Sequence, residues 1–169
     1  LSFFLPKKII FSSKNSKKIH KKIGYQSKKI DYVPNGYDLH KFRIFNLKQI
    51  NLTKKFKRKK EIPLLGCVAR FHPQKDHENL LRALKIVKQK QIPFECVLVG
   101  HKINKKNKKL INMIKKFNLK DEVILLGPQK NIDKVMNLID VHISASEYGE
   151  AFPNVVAEAM ASGTPCVVT

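Results

Sequence analysis

The chain has 169 residues, 43% of them apolar, and 34 lysines and arginines against 13 aspartates and glutamates, for a formal net charge of +21. That apolar content excludes a disordered chain and suffices for one domain with a sizeable core. No run of 18 apolar residues exists, which excludes a membrane-spanning helix, and Leu1–Pro6 is too short for a signal peptide.

The three cysteines, Cys67, Cys96 and Cys166, are far apart and show no CxxC or Cys/His spacing, so neither a disulfide framework nor a metal site is expected. Buried free thiols in a reducing cytoplasm are the expectation. The charge has three candidate meanings: a lysine-rich compositional bias, an anionic membrane surface, or nucleic acid. Lysine far exceeds arginine, and Asn and Ile are plentiful, which favours the bias; nucleic acid ranks last. The chain begins with Leu1 and stops at Thr169 inside an apparent strand, so it reads as a piece of a longer protein.

In chain order, Ile9–Phe11 reads as a short strand and Ser12–Ser13 as the start of a lysine-rich helix reaching about Ile23, with Ile19 and Ile23 on one face. Ile30–Val33 is extended, and Pro34-Asn35-Gly36 predicts a tight turn because Asn-Gly tolerates positive φ. From Tyr37 to Lys60 no period persists, and six of the seven residues Lys54–Lys60 are basic, which reads as a solvated linker. From Ile62 the pattern becomes regular. Strands Leu64–Ala69, Phe94–Val99, Val123–Leu126, Val141–Ile143 and Cys166–Val168 alternate with helices. The helices start at Asp76 with Leu80, Leu84 and Val87 inward, span Lys106–Asn118 and Asn131–Ile139, and run from Asn154 to Ala161. Pro153 suits the first position of that last helix and Gly163 its stop. Strands that are apolar throughout, alternating with helices, predict an α/β fold: a Rossmann-like parallel sheet with helices on both faces.

Ligands of such sheets bind beyond the carboxyl ends of the strands. After the first strand from Ile62 stand Arg70 and Lys75, five apart, in a loop feeding a helix N-terminus, which suits a diphosphate; chance placement among 34 cations is the rival explanation. After the next two strands come Gly100 and then Gly127-Pro128-Gln129, where glycine lets a ring or phosphate approach the backbone, or simply makes a turn. After the fourth come Glu150 and Glu158, with seven residues between them. Ionised carboxylates only accept hydrogen bonds, so they suit sugar hydroxyls. The plainer alternative is a solvated loop acid and an ordinary helix residue, with Glu147 a nearby substitute.

Together these motifs resemble those of the retaining glycosyltransferases of family 4, which have the GT-B fold. Glu150 to Met160 (EAFPNVVAEAM) matches that family's E-x7-E motif, and Arg70 and Lys75 match its Arg-x4-Lys diphosphate clamp. Val33-Pro34-Asn35-Gly36-Tyr37-Asp38 is similar to the family's passage between its two domains. The resemblance covers nearly the whole chain. It implies the C-terminal half of a GT-B glycosyltransferase, truncated at both ends. Residues 1–33 would be a remnant of the N-terminal acceptor domain, 34–60 the linker, and 61–169 an incomplete nucleotide-sugar-binding domain.

The resemblance also implies roles. Arg70 and Lys75 would hold the donor diphosphate and stabilise the leaving nucleotide, Glu150 would bond the transferred sugar, and Glu158 the ribose. Backbone N–H groups from Phe152, Pro153, Asn154 and Val155 at the helix start would complete the phosphate site, proline contributing only its place in the turn. Gly127, Pro128 and Gln129 would lie near the nucleobase. No cofactor and no metal are implied; a UDP- or GDP-sugar is the donor substrate, and the cations and helix dipole stand where a metal would. Ala151 and Asp76 replace glycines common in the family, and Asp76 doubles as a helix cap. The acceptor would be a glycan or a lipid-linked glycan, and the enzyme cytoplasmic, docked by its basic surface at the inner face of the membrane. The piece by itself is expected to be inactive. The alternative is a basic, non-catalytic module for nucleic acid; it calls for aromatics among the basic residues, and Lys54–Lys60 holds only Phe56.

Overall fold

The structure is a computed structural model and describes residues 4–45, 61–150 and 153–169. The basic run Lys54–Lys60, most of the expected linker, and Ala151 and Phe152 lie outside the described residues. The chain divides into two compact units: Leu1–Tyr37 with Glu150–Asn154, and Asp38–Gly149 with Val155–Thr169.

In the first unit, β1 (Ile9–Phe11) and β2 (Ile30–Tyr32) pair in parallel, Ile9 opposite Ile30. Between them runs α1 (Lys14–Lys22), capped by Ser13, whose Oγ accepts the Ser16 N–H at 3.3 Å. Phe11, His20 and Tyr25 pack ring against ring, with centroids 4.6 and 4.9 Å apart, and fix α1 to the strands. Ile19 and Ile23 share a face, as read, and that face is exposed. The tight turn expected at Pro34-Asn35-Gly36 is not formed. Residues 33–38 run without a turn, and neither Asn35 nor Gly36 adopts positive φ. Proline holds the residue before it extended, and the Asn35 side chain is engaged away from its own backbone: its Nδ2 donates to Asn154 Oδ1 at 2.6 Å.

The second unit is a five-stranded, wholly parallel sheet. Its strands are β3 (Leu64–Val68), β4 (Glu95–Val99), β5 (Val123–Gly127), β6 (Val141–Ser144) and β7 (Cys166–Val168), in the spatial order β5-β4-β3-β6-β7. The crossovers are α2 (His77–Gln89), α3 (Lys108–Lys116), α4 (Ile132–Leu138) and α5 (Asn154–Ala161). Strand side chains alternate between two cores. Cys67, Cys96 and Leu98 pack with Leu80, Leu81 and Leu84 of α2 and Leu110 and Ile114 of α3. Leu64, Val68, Val97 and Val99 pack with Val135 and Met136 of α4 and Ala159 of α5. Helices therefore cover both faces, which is why the strands read as continuous apolar runs. α3 is shorter at each end than the periodicity suggests: at its start Asn107 Oδ1 accepts the Leu110 N–H, and beyond its end Asn118 turns left-handed at φ 56°.

Gly66 lies in the middle of the sheet. A Cβ there would come within 2.6 Å of the Ile139 side chain, so only glycine lets the chain after α4 close onto β3. Residues 38–45, the beginning of the expected linker, are anchored: Phe42 is buried, and Asn137 of α4 accepts the Phe45 N–H at 2.7 Å and donates to the Arg43 carbonyl at 2.8 Å. All three cysteines are free thiols; Cys67 and Cys96 are buried and Cys166 partly so. Burial pushes the Cys67 thiol up to about 12, with Lys75 acting against the shift.

Two histidines enter this apolar frame. His77 opens α2 and His142 lies in β6, 3% and 0% exposed, and no ring nitrogen of either meets a hydrogen-bond partner among the described residues. Burial lowers each to about 4 from the ordinary 6.5. The unfolded chain therefore takes up these protons first as pH falls, so stability is held above pH 6.5 and lost between 6.5 and 4. Each histidine contributes at most about 3 kcal/mol to that loss. Urea unfolding across this window should show the decline, and His142→Leu with His77→Phe should flatten it. Separately, Gly66→Ala should cost about 1–3 kcal/mol by overpacking against Ile139, read as a lower urea midpoint with unchanged slope.

Candidate functional site

The strand order reverses beside β3: α2 and α3 carry the chain from β3 to β4 and β5 on one side, while β6 and β7 occupy the other. Loops after β3 and β6 thus leave neighbouring strand ends in diverging directions, the place where parallel sheets open a crevice. Beyond β3 the ladder continues for a few residues, Phe71 N–H donating to the His101 carbonyl at 2.9 Å, and leaves Arg70 exposed at the rim. Pro73–Lys75 then make one 3-10 turn, begun by His72, whose Nδ1 accepts the Gln74 N–H at 3.3 Å. Lys75 ends that turn. Asp76 follows at φ 35°, ψ 58°, and its Oδ1 accepts the Asn79 N–H at 3.0 Å, opening α2. The left-handed backbone explains why glycine is the commoner residue here, and aspartate is among the few others that tolerate it.

The loop after β6 is fastened to this one. Glu147 donates its N–H to the Gln74 carbonyl at 3.0 Å, and Gly149, at φ 73°, faces the Gln74 side chain so closely that a Cβ would lie 3.1 Å from Nε2. Glu147 itself is exposed. Glu158 lies one turn into α5 and is half-buried; burial raises its carboxyl above the ordinary range, and Lys41 acts in the opposite direction. At the end of β5, Gly127 (φ 69°) accepts the Gly100 N–H at 2.9 Å, Pro128 is exposed, and Gln129 Nε2 donates to the Leu126 carbonyl at 2.8 Å. That bond turns the Gln129 amide back onto its own strand.

Arg70, Lys75, Gly127, Pro128, Gln129, Val155 and Glu158 all belong to the second unit, while Glu150, Pro153 and Asn154 belong to the first. Glu150 and Pro153 are partly buried. Asn154 Oδ1 accepts from both Asn35 Nδ2 and Tyr37 Oη, at 2.6 and 3.0 Å. The sequence marks Asn35 and Tyr37 only as parts of a turn and an interdomain passage, and Lys41 only as linker; Pro-Asn-Gly signals a turn, and nothing local shows that its asparagine reaches a residue 119 positions on. Among the described residues no group of three or more His, Cys, Asp or Glu side chains is placed to hold a metal ion.

The sequence model of the family described as "Glycosyl transferases group 1" matches residues 48–169. The putative glycosyltransferase EpsF of Bacillus subtilis is 35% identical over 106 residues, 63% of this chain and 27% of that protein. The UDP-Gal:alpha-D-GlcNAc-diphosphoundecaprenol alpha-1,3-galactosyltransferase of Escherichia coli is 30% identical over 142 residues, 83% of this chain and 36% of its own length. The chain thus spans about a third of the curated relatives it matches. Among solved structures, Anabaena HepE in complex with UDP and glucose superposes with a TM-score of 0.78 at 23% identity, over 96% of this chain and 44% of that one. A Rickettsia africae glycosyltransferase does so at 0.79 and 24%, with the same coverage. The fold they share is GT-B.

The start of α2 gives a test of the loop's construction. Asp76→Ala loses the cap and keeps the left-handed strain, and should cost about 2 kcal/mol in denaturant unfolding. Asp76→Gly loses the cap but relieves the strain, and should stay within about 0.5 kcal/mol of the parent.

Proposed function

The chain belongs to the glycosyl transferases group 1 family, and from that premise we propose that it is the donor-binding half of a retaining transferase that uses a UDP- or GDP-sugar. The observation that carries this reading is the pair of loops at the strand-order reversal, the one after β3 with Arg70 and Lys75 and the one directly after β6, joined through the Glu147–Gln74 backbone bond. A guanidinium and an ammonium at the mouth of a parallel sheet present only donors and positive charge, the complement of a diphosphate.

In this reading Arg70 and Lys75 hold the two phosphates and stabilise the charge that grows on the leaving nucleotide as the glycosidic bond lengthens. Glu158 accepts hydrogen bonds from the ribose hydroxyls, and Glu150 accepts from the transferred hexose. Backbone N–H groups of the motif segment Phe152 to Val155, proline excepted, add to the phosphate site, and Gly127 to Gln129 flank the base. No resident metal or cofactor takes part. Residues 1–33 are the end of the acceptor domain, 34–60 the connection, and 61–169 the donor domain. The acceptor is a glycan or a lipid-linked glycan, in keeping with a relative named for alpha-D-GlcNAc-diphosphoundecaprenol. A basic surface of this kind would dock the enzyme on an anionic membrane from the cytoplasmic side; among the described residues no helix is long and apolar enough to cross a membrane. Family membership disfavours the non-catalytic nucleic-acid module.

Calorimetry with UDP and GDP tests the reading. One nucleotide should bind, Arg70→Ala should weaken it by about tenfold or more, and Glu158→Ala should weaken it against the matching nucleoside as well, because the ribose is common to both. Loss of neither nucleotide nor nucleoside affinity in Glu158→Ala would remove the ribose role, and failure of both nucleotides to bind the parent would sink the whole proposal. Sugar transfer by the 169 residues alone is expected to be undetectable.

A further inference from the structure

A second cationic feature lies on the same rim of the sheet but on the α2/α3 face. A cavity of about 510 Å³ opens between the loop after β3 and the loop after β4, lined by Phe71, Lys102, Asn104, Lys106, Asn107 and Lys108. Neither Arg70, Lys75, Glu158 nor the turn at Gly127 lines it. The loop that carries the lysines is firmly built. Ile103 is fully buried beneath it, Asn107 Nδ2 donates to the Lys102 carbonyl at 2.8 Å, and Asn104 Oδ1 accepts the Lys106 N–H at 2.9 Å.

Three of the six lining residues are lysines. On the same face Lys88 pairs with Glu122 at 2.7 Å and Lys116 with Glu78 at 3.1 Å. Lys102, Lys106 and Lys108 have no ion-pair partner among the described residues, no carboxylate lines the cavity, and the first turn of α3 holds no acid. Three like charges lining one hollow repel one another, and a bound anion reverses the sign of that interaction. The volume falls within the range of small-ligand sites and far exceeds a single water. Ammonium groups offer only donors, and several of them around one concavity suit a tetrahedral, multiply charged acceptor better than a single carboxylate.

We propose that this hollow binds a phosphate group of a second ligand, distinct from the nucleotide held at the Arg70–Lys75 loop. The shared chemistry is a phosphate or diphosphate ester, carried either by a soluble molecule or by a lipid headgroup. The site goes beyond the donor reading and can be measured whether or not that reading stands.

Titration calorimetry with sodium pyrophosphate, without and with saturating UDP, tests it. Pyrophosphate should still bind in the presence of UDP and in Arg70→Ala, and the triple replacement of Lys102, Lys106 and Lys108 by alanine should weaken that event by about tenfold or more while leaving UDP affinity unchanged. Retained UDP binding also reports that the variant is folded. Replacing Lys14, Lys17 and Lys18 of α1 removes the same charge elsewhere and should leave pyrophosphate binding intact. Complete competition by UDP, equal loss in both triple variants, or no loss in the first would each overturn the site. If UDP fails to bind the parent, the donor reading fails and the pyrophosphate event is read without a competitor, with far-UV circular dichroism reporting the fold. Flotation with phosphatidylcholine vesicles, with and without a polyprenyl diphosphate, identifies the source. Flotation that needs both the lipid diphosphate and the three lysines assigns a lipid headgroup; none, with pyrophosphate binding kept, assigns a soluble ester, and either supports the site.

Discussion

The position of β3 constrains everything else in the second unit. It lies at the centre of five parallel strands, and the chain leaves its carboxyl end toward β4 while β6 runs along its other edge. Backbone hydrogen bonding forces the two neighbouring strand ends to within a strand spacing of each other, and the covering helices α2 and α5 must then diverge to opposite faces. A crevice at that point is a geometric consequence of the connectivity. Gly66 lets Ile139 settle on β3, so the chain reaches β6 already close to the sheet.

The loop that carries the cations at this crevice is fixed by its backbone. One 3-10 turn, a left-handed Asp76 and the Glu147–Gln74 bond set the loop between Arg70 and Lys75. Surface ion pairs are weak and screened by salt, whereas main-chain hydrogen bonds hold a loop's course at any ionic strength. The same principle recurs after β4, where asparagine side chains brace the lysine-bearing loop from within. Charges free of carboxylates remain available to an outside anion.

Carboxylates follow a different rule. Glu158 is half-buried on α5, the fourth crossover, where desolvation makes its charged form more costly and Lys41 offsets part of that cost. Lys41 is placed by a turn that Asp38 caps through the His40 and Lys41 N–H groups, and by the burial of Phe42. A stretch without periodicity thus contributes to the electrostatics of a motif residue 117 positions later.

How much of this was readable from the chain divides along physical lines. Strand and helix identity, the parallel sheet and the rim positions of Arg70 and Lys75 follow from local periods, caps and turn residues, because those depend on neighbours a few positions away. The E-x7-E spacing likewise marks a loop and a helix start by itself. Long-range placement was not readable. The Asn35 amide spends itself on Asn154 and the expected turn is absent; His142 is enclosed in the sheet although its sequence neighbours show only that a strand passes there. Nor does sequence order reveal that the lysines after β4 line one hollow with Phe71. Local chemistry determined the elements; only the tertiary structure decided which loops meet, because strand order is set by packing between segments whose separation along the chain carries no geometric information.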